Sequence, residues 1–477
     1  MKTIDVDVAI IGAGTAGMGA YRAALHHTDS IALIEGGKYG TTCARVGCMP
    51  SKLLIAAAEA AHAVREAPRF GVEAEISRID GRAVMARVKR ERDRFVGFVE
   101  EAIEGYDRKH LHRGRARFVD DNTLDVGDHS RIRARSIVIA TGSSPAIPPI
   151  FGDVSDRLLV NDDVFEWDDL PQSVALFGPG VIGLELGQAL HRLGVRIQMF
   201  GRGGQVGPLS DPEILDYTAR TFGEEFYLNA DARVTAVENR ADGVDITYVD
   251  LDGRPATRRF DYIIAATGRR PNVKGLGLEN TSLPRDDKGV PQFDPYTLQV
   301  GDHPLFIAGD VTVDRPLLHE AADEGRIAGH NAGRYPDIQA GRRTSPMGIV
   351  FTDPQIATVG QSFASLKEGC FATGEVSFEN QGRSRTMLVN RGLLHIYAEQ
   401  GTGLLLGAEI FGPAAEHLAH LLAWCHQQKM TISQILDMPF YHPVIEEGLR
   451  TALRDVNSKL HLGPAPIKDC LDCGPGA

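Results

Sequence analysis

The sequence predicts an α/β chain in which two like-built units are followed by a smaller α+β domain, and three observations carry that reading. A β-branched strand runs directly into a glycine-rich turn and a helix within residues 6–26. The same order recurs within residues 174–200. Beyond residue 340 the glycine loops of this kind stop and short apolar strands around a Gly turn take over. A length of 477 residues accommodates two to four domains at ~150 residues each.

Composition narrows the classes. The chain is 43% hydrophobic and 24% charged, as folded proteins are, which argues against disorder. Its net charge of −12 opposes binding to nucleic-acid phosphates or to an acidic membrane surface. No uncharged apolar run reaches the roughly 20 residues of a membrane span. Asp5 and Asp7 stand where a secretory signal needs an unbroken apolar core, so the expected location is cytoplasmic.

Residues 6–11 form a β-branched run suited to one buried parallel strand. Gly12-Ala13-Gly14-Thr15-Ala16-Gly17 follows, a helix is expected over residues 18–26, and residues 30–35 form a second strand ending in Glu35. Glycines at 12, 14 and 17 let the backbone approach a pyrophosphate, and the helix N-terminus stabilises its charge. Glu35 is placed to accept from ribose hydroxyls. A glycine-rich turn alone says little; between these strands, with the acid 23 residues on, it reads as a Rossmann-type dinucleotide fingerprint. The competing reading is a βα turn that holds no ligand.

The second copy comprises residues 174–177, then Gly178-Pro179-Gly180-Val181-Ile182-Gly183, a helix, and a strand over residues 195–200. Matching strand-turns close each unit, one ending in Thr141-Gly142 and the other in Thr267-Gly268. Two bound dinucleotides and a duplicated domain are therefore expected. Prolines 145, 148, 149 and 271 mark crossings between domains. In the third region, residues 393–398 and 404–410 read as antiparallel strands and residues 414–428 as an apolar-periodic helix, for packing or a subunit interface.

Six cysteines do not make a disulfide scaffold. Cys370 and Cys425 are isolated and read as ordinary buried residues. Cys43/Cys48 and Cys470/Cys473 are close pairs, which in a chain without an export signal point to redox chemistry or metal. Cys43-Ala44-Arg45-Val46-Gly47-Cys48-Met49-Pro50-Ser51-Lys52 precedes a long Ala-rich helix. Two thiols with four residues between them can close a disulfide across a tight turn, and a helix start lowers thiolate pKa.

With these motifs the chain resembles the FAD-dependent pyridine nucleotide–disulfide oxidoreductases, and within them dihydrolipoyl dehydrogenases, over nearly its whole length. Further matches are Asp310 in Ala308-Gly309-Asp310, the run Phe351-Thr352-Asp353-Pro354, and His442-Pro443 with Glu447. The resemblance implies an FAD domain from residues 1–146 and 272–340, an NAD(P) domain over 147–271, an interface domain over 341–462, and a tail over 463–477 carrying Cys470 and Cys473. It implies a homodimer in which Cys43 exchanges with an external dithiol and Cys48 lies beside the flavin. Lys52 and Glu185 would pair near the flavin, Asp310 would hold its ribityl–phosphate portion, and His442 with Glu447 would reach the disulfide of the other subunit. Pro443 suits the first position of the helix that follows.

Several positions depart from the pattern. Arg45 stands where the family carries Asn, Phe440 where lipoyl enzymes carry His, and Val444 where they carry Thr. The expected reaction passes electrons between a dihydrolipoyl-type dithiol, the Cys43–Cys48 pair, FAD and NAD, the dithiol being a small molecule or a lipoyl domain of a larger complex. The alternatives are an NADPH-dependent reductase of another disulfide or of mercuric ion, with Cys470 and Cys473 as relay, and a non-catalytic flavin-binding regulator. NAD is the expected coenzyme and NADP the alternative, because Gly201 and Arg202 occupy the place where NAD-selective domains usually have an acid. His417, His420, Cys425 and His426 share one apolar helix and read as packing, so no metal is expected. Residues 87–94 interleave acids with bases and read as a solvated helix face.

Overall fold

A computed structural model describes residues 1–152, 154 and 156–462, built around three main sheets. The expected tail pair Cys470/Cys473 lies outside the described residues. In the first sheet the strand Lys2–Ile11 is flanked in parallel by Ile31–Glu35 and Ser130–Ile139. Val8, Ala9, Ile10 and Ile11 are buried, because both faces of a parallel sheet are covered. The long strand Ser130–Ile139 pairs antiparallel with Thr123–Val126 over its first half and in parallel with Leu305–Ile307 over its second. A far downstream segment therefore returns to complete the sheet that the N-terminus starts. The helix Leu318–Arg334 lies against Thr15–Ala24, and two glycines set how closely. A Cβ on Gly325 or Gly329 would stand 2.1 or 2.2 Å from the carbonyl oxygens of Ala16 and Ala20.

The second sheet is parallel, in the order Tyr227–Asn229, Arg196–Phe200, Ser173–Phe177, Tyr262–Ala265, Leu158–Leu159. A three-stranded antiparallel sheet of Val234–Arg240, Gly243–Val249 and Pro255–Phe260 belongs to the same unit. The chain enters and leaves this unit through one antiparallel pair, Ser143–Pro145 against Arg269–Pro271.

The third sheet is antiparallel throughout, running Met347–Val350, Gln355–Gly360, Leu405–Gly412, Leu393–Glu399, Phe371–Ser377. Helices Ala415–Gln427 and Glu446–Lys459 bury Leu418, Leu422 and Leu453 against Leu394, Ile396 and Ile410. The opposite face of Ala415–Gln427 leaves Trp424 64% exposed beside Leu421. No described helix is long and apolar enough to cross a membrane.

Four local expectations are corrected. The first helix begins at Thr15 rather than Met18, directly after its Gly14 cap. Cys370 is exposed, ending a surface turn in which its N–H donates to the Lys367 carbonyl, and Cys425 is half-buried. Arg92, read as part of a solvated face, is buried beside Phe165 and pairs with Asp93 and Glu166, since the helix Gly81–Glu104 turns that side inward. Pro443 does not open its helix, which runs Glu446–Lys459. The Val444 N–H bonds to the Glu447 carboxylate instead, so the preceding residues loop back over the first turn.

Candidate functional site

A cavity of about 1020 Å³ runs between the first sheet, the cysteine segment and the start of the helix Val181–Arg192. Its floor is the first glycine turn. Gly12 has φ +105°, and a Cβ there would stand 2.4 Å from the Ala140 carbonyl oxygen. A Cβ on Gly17 would fall 1.8 Å from the Gly12 oxygen. Around Gly14, by contrast, nothing lies within 4 Å, and Gly14 caps the helix without a side-chain bond. The helix N–H groups therefore face open space, as an anion-binding turn requires.

The second turn repeats these numbers: Gly178 at φ +101° and 2.4 Å from the Ala266 oxygen, Gly183 at 1.9 Å from the Gly178 oxygen, Gly180 open. Matching sterics in both copies explain the glycines at 12 and 17 and at 178 and 183, while Gly14 and Gly180 leave the space at the helix start open. Glu35 ends its strand as expected, with Oε2 accepting from Ala13 N at 2.8 Å and Oε1 from Gly37 N at 2.6 Å. Those bonds fix the carboxylate while leaving lone pairs for a hydroxyl.

At the far end, Asp310 Oδ2 accepts from Ser143 Oγ at 3.0 Å, and Arg269 Nε donates to the same Ser143 oxygen at 2.8 Å. Gly309 N donates to buried Glu324 at 2.7 Å, which holds the peptide that presents Asp310. Thr141 Oγ1 donates to the Asn272 carbonyl at 2.9 Å, and Gly142 lines the cavity. Gly268 carries the carbonyl that accepts from Ala146 N, at the crossing into the second unit. Glycine turn, helix N-terminus, Glu35 and Asp310 thus line one continuous space whose size and donor set fit FAD.

Cys43 sits in the short helix Thr42–Val46, and Cys48 begins the helix Cys48–Glu66. Gly47 joins them; a Cβ there would press on Thr42 O at 3.1 Å and Cys43 Cα at 3.2 Å. Both cysteines are free thiols and line the cavity. The Cys43 S–H donates to Cys48, which pulls the Cys48 thiol down to about 7, with the Lys52 charge adding to the effect and burial opposing it. The same bond, with burial, pushes Cys43 up. The pair is polarised: of the two, Cys48 gives up its proton more readily and Cys43 holds its own more firmly.

Lys52 Nζ lies 2.7 and 2.9 Å from the two oxygens of buried Glu185 and 4.4 Å from the centre of the Phe351 ring. Glu185 Oε1 also accepts from Phe351 N at 3.0 Å. Phe351 and Ser143 are site residues that sequence reasoning left without a role. Phe351 stood inside a recognised run, and nothing in its identity announced a partner in another domain.

His442 and Glu447 lie elsewhere, on the C-terminal domain. His442 Nδ1 is 2.9 and 3.0 Å from the Glu447 oxygens, and its side chain is 80% exposed. The bond from His442 holds the Glu447 carboxyl below the usual range. Arg202 is exposed past the strand Arg196–Phe200. A Cβ on Gly201 would stand 2.4 Å from the Ala230 oxygen, so no acidic side chain fits at that position. The histidines of helix Ala415–Gln427 diverge, His420 to the Glu416 carbonyl and His426 to Ser345.

Comparison with known proteins follows the same lines. The family model described as pyridine nucleotide-disulphide oxidoreductase matches residues 6–325, and that of its dimerisation domain matches residues 347–453. A mercuric reductase of Streptomyces lividans is 32% identical, covering 95% of this chain and 96% of its own. A dihydrolipoyl dehydrogenase of Chlamydia trachomatis is 30% identical over 96% of this chain and 98% of its own. Among solved structures, LpdA of Mycobacterium tuberculosis superposes with a TM-score of 0.79 at 24% identity, covering 95% of this chain and 99% of its own. The Cu(II) complex of an HOCl-induced flavoprotein disulfide reductase from Escherichia coli superposes at 0.77 with 21% identity, over the same shares of the two chains. At those identities the likeness is one of fold.

Proposed function

The chain belongs to the pyridine nucleotide-disulphide oxidoreductases, oxidoreductases acting on sulfur groups with FAD and a nicotinamide coenzyme, and on that premise we propose that it oxidises a dihydrolipoyl-type dithiol through Cys43 and Cys48. Bound FAD, held by Gly12, Gly14, Gly17, Glu35, Thr141, Gly142 and Asp310, supplies the two-electron chemistry that links the cysteine pair to the coenzyme. Gly178, Gly180, Gly183, Arg202 and Gly268 line the coenzyme unit.

The protein's own residues account for the sulfur steps. His442 of one subunit takes the proton of an entering thiol at Nε2, while Glu447 holds Nδ1 and offsets the charge. The substrate thiolate attacks Cys43 Sγ of the Cys43–Cys48 disulfide, the S–S bond breaks, and Cys48 leaves as a thiolate beside Lys52. The second substrate sulfur, once deprotonated, attacks the substrate sulfur bound to Cys43. The cyclic disulfide departs and Cys43 takes back a proton. Two electrons have moved from the dithiol to the pair. The Lys52–Glu185 ion pair sets the charge felt by Cys48.

The observation that carries this reading is the 2.9 Å His442–Glu447 pair: exchange with a neutral dithiol needs a base, and nothing else about the site calls for one. A second reading, reduction of mercuric ion, is supported by the Streptomyces lividans relative and by the Cys470/Cys473 pair. NAD is the proposed coenzyme, with a modest preference because Arg202 is free to meet a 2′-phosphate. Turnover with each coenzyme, crossed with dihydrolipoamide, oxidised glutathione and mercuric ion, separates these readings. A hundredfold preference for NADPH with a substrate other than dihydrolipoamide overturns the first. Mixing Cys43→Ser with His442→Ala protein, each inactive alone, should restore about a quarter of full activity if each site spans two subunits of a twofold dimer.

A further inference from the structure

Away from the cavity, one histidine is arranged in a way that the sulfur chemistry does not use. His395, on the strand Leu393–Glu399, is 3% exposed. Its Nδ1 lies 2.8 Å from Asp211 Oδ2, an oxygen that also accepts from Tyr397 Oη at 3.0 Å. Asp211 is itself buried and caps the helix Pro212–Glu225, accepting from Glu213 N at 3.1 Å. The ring therefore engages this carboxylate through Nδ1, which fixes its orientation. Nε2 makes no hydrogen bond to any described residue. It faces Glu213 Oε2 at 3.9 Å, and Glu375 pairs across the sheet with His395. One donor atom from each of Glu213, Glu375 and His395 lies within 4.8 Å of the other two.

We propose that Glu213, Glu375 and His395 bind a divalent transition ion of the zinc type, tying the inserted coenzyme unit to the C-terminal sheet. Zinc takes imidazole nitrogen at about 2.0 Å and carboxylate oxygen at about 2.0–2.2 Å, which sets tetrahedral ligand atoms about 3.3 Å apart. Both glutamates are exposed, so rotation of their side chains supplies the contraction, while the histidine is already fixed. A carboxylate behind a ligating histidine orients the ring and raises its basicity. Three protein ligands leave one position for water. The competing cation is Lys459, whose Nζ lies 3.7 Å from Glu375 Oε1 and 2.7 Å from Asp455 Oδ2; the closer bond to Asp455 keeps it occupied when Glu375 turns to the metal. Magnesium, which demands six oxygens, does not suit this donor set.

The test uses the oxidised holoenzyme, with Cys43 and Cys48 closed as a disulfide and with Cys470→Ser/Cys473→Ser so that tail thiols do not compete. Calorimetric titration with Zn²⁺ should give one site per chain, and Zn²⁺ should raise Tm where Mg²⁺ does not. Glu213→Gln/Glu375→Gln, a change confined to exposed side chains, should weaken Zn²⁺ binding at least about tenfold and remove the Tm response. Asp211→Asn, which keeps a capping side chain, should weaken binding about tenfold to a hundredfold. Absence of saturable Zn²⁺ binding overturns the proposal, and so does a site of unchanged affinity in the double glutamine variant.

Discussion

At the scale of single residues, the polarity of the cysteine pair is the property on which function turns. Cys48 is depressed first by the hydrogen bond from Cys43 and then by the charge of Lys52, and the two causes separate experimentally. In the reduced protein the pH profile of Cys48 alkylation, read by peptide mass spectrometry, should have its midpoint below that of an ordinary thiol. Removing a nearby cation disfavours the thiolate, so Lys52→Met should move that midpoint upward by about one pH unit. An unmoved midpoint would assign the effect to Cys43 alone. The same variant leaves Glu185 buried without its cation, and loss of stability should accompany the change in reactivity.

At the scale of elements, the glycine turns make a sharp contrast available. Gly17→Ala places a methyl group 1.8 Å from a backbone oxygen that cannot move without the strand; the turn should open, flavin should be lost, and Tm should fall. Gly14→Ala meets nothing within 4 Å, so the fold should survive while FAD binds more weakly where its phosphates need that space. Flavin absorbance after gel filtration and thermal melts check both. This contrast also explains what was legible in the sequence. Gly17 and Gly183 were readable because each packs on the backbone five residues before it, and Gly12 and Gly178 because their positive φ belongs to the same turn; both constraints are written in local spacing. The start of the helix Glu446–Lys459 was misread because Pro443 fits a helix start by itself, and only the bond from Val444 N to Glu447 shows that the chain does something else there. The second strand of each unit was readable, but the double use of Glu35 by two backbone amides was not. The His395 cluster was invisible for a different reason: its members come from positions 213, 375 and 395, and no spacing rule relates residues that only tertiary packing brings together.

At the scale of the whole molecule, the coenzyme unit and the C-terminal domain are locked by Arg192. Its Nε donates to Glu225 Oε1 at 2.6 Å and its Nη1 to Asp353 Oδ2 at 3.0 Å, and the side chain is only 6% exposed. Gln188 doubles the joint, donating to the Asp353 carbonyl at 2.7 Å and accepting from Asp353 N at 2.8 Å. Arg192→Met should cost about 1.5–3 kcal/mol, since it removes charge-assisted hydrogen bonds to Glu225 and Asp353, carboxylates that water can still reach. Denaturant unfolding of the holoenzyme measures it, and a cost below about 1 kcal/mol would mean that the joint is supported elsewhere. The crossing between Ser143–Pro145 and Arg269–Pro271 has a consequence of another kind. Because departure and return are hydrogen-bonded neighbours, the chain passes into and out of this unit at a single place. A homologous coenzyme unit can be spliced in at those two points without re-threading the surrounding sheet, provided it keeps the Arg192 and Gln188 joint to Asp353. Coenzyme preference is then a trait that travels with one insert, whereas the sulfur chemistry, spread over the N-terminal helices, Glu185 of the inserted unit and the distant C-terminus, does not.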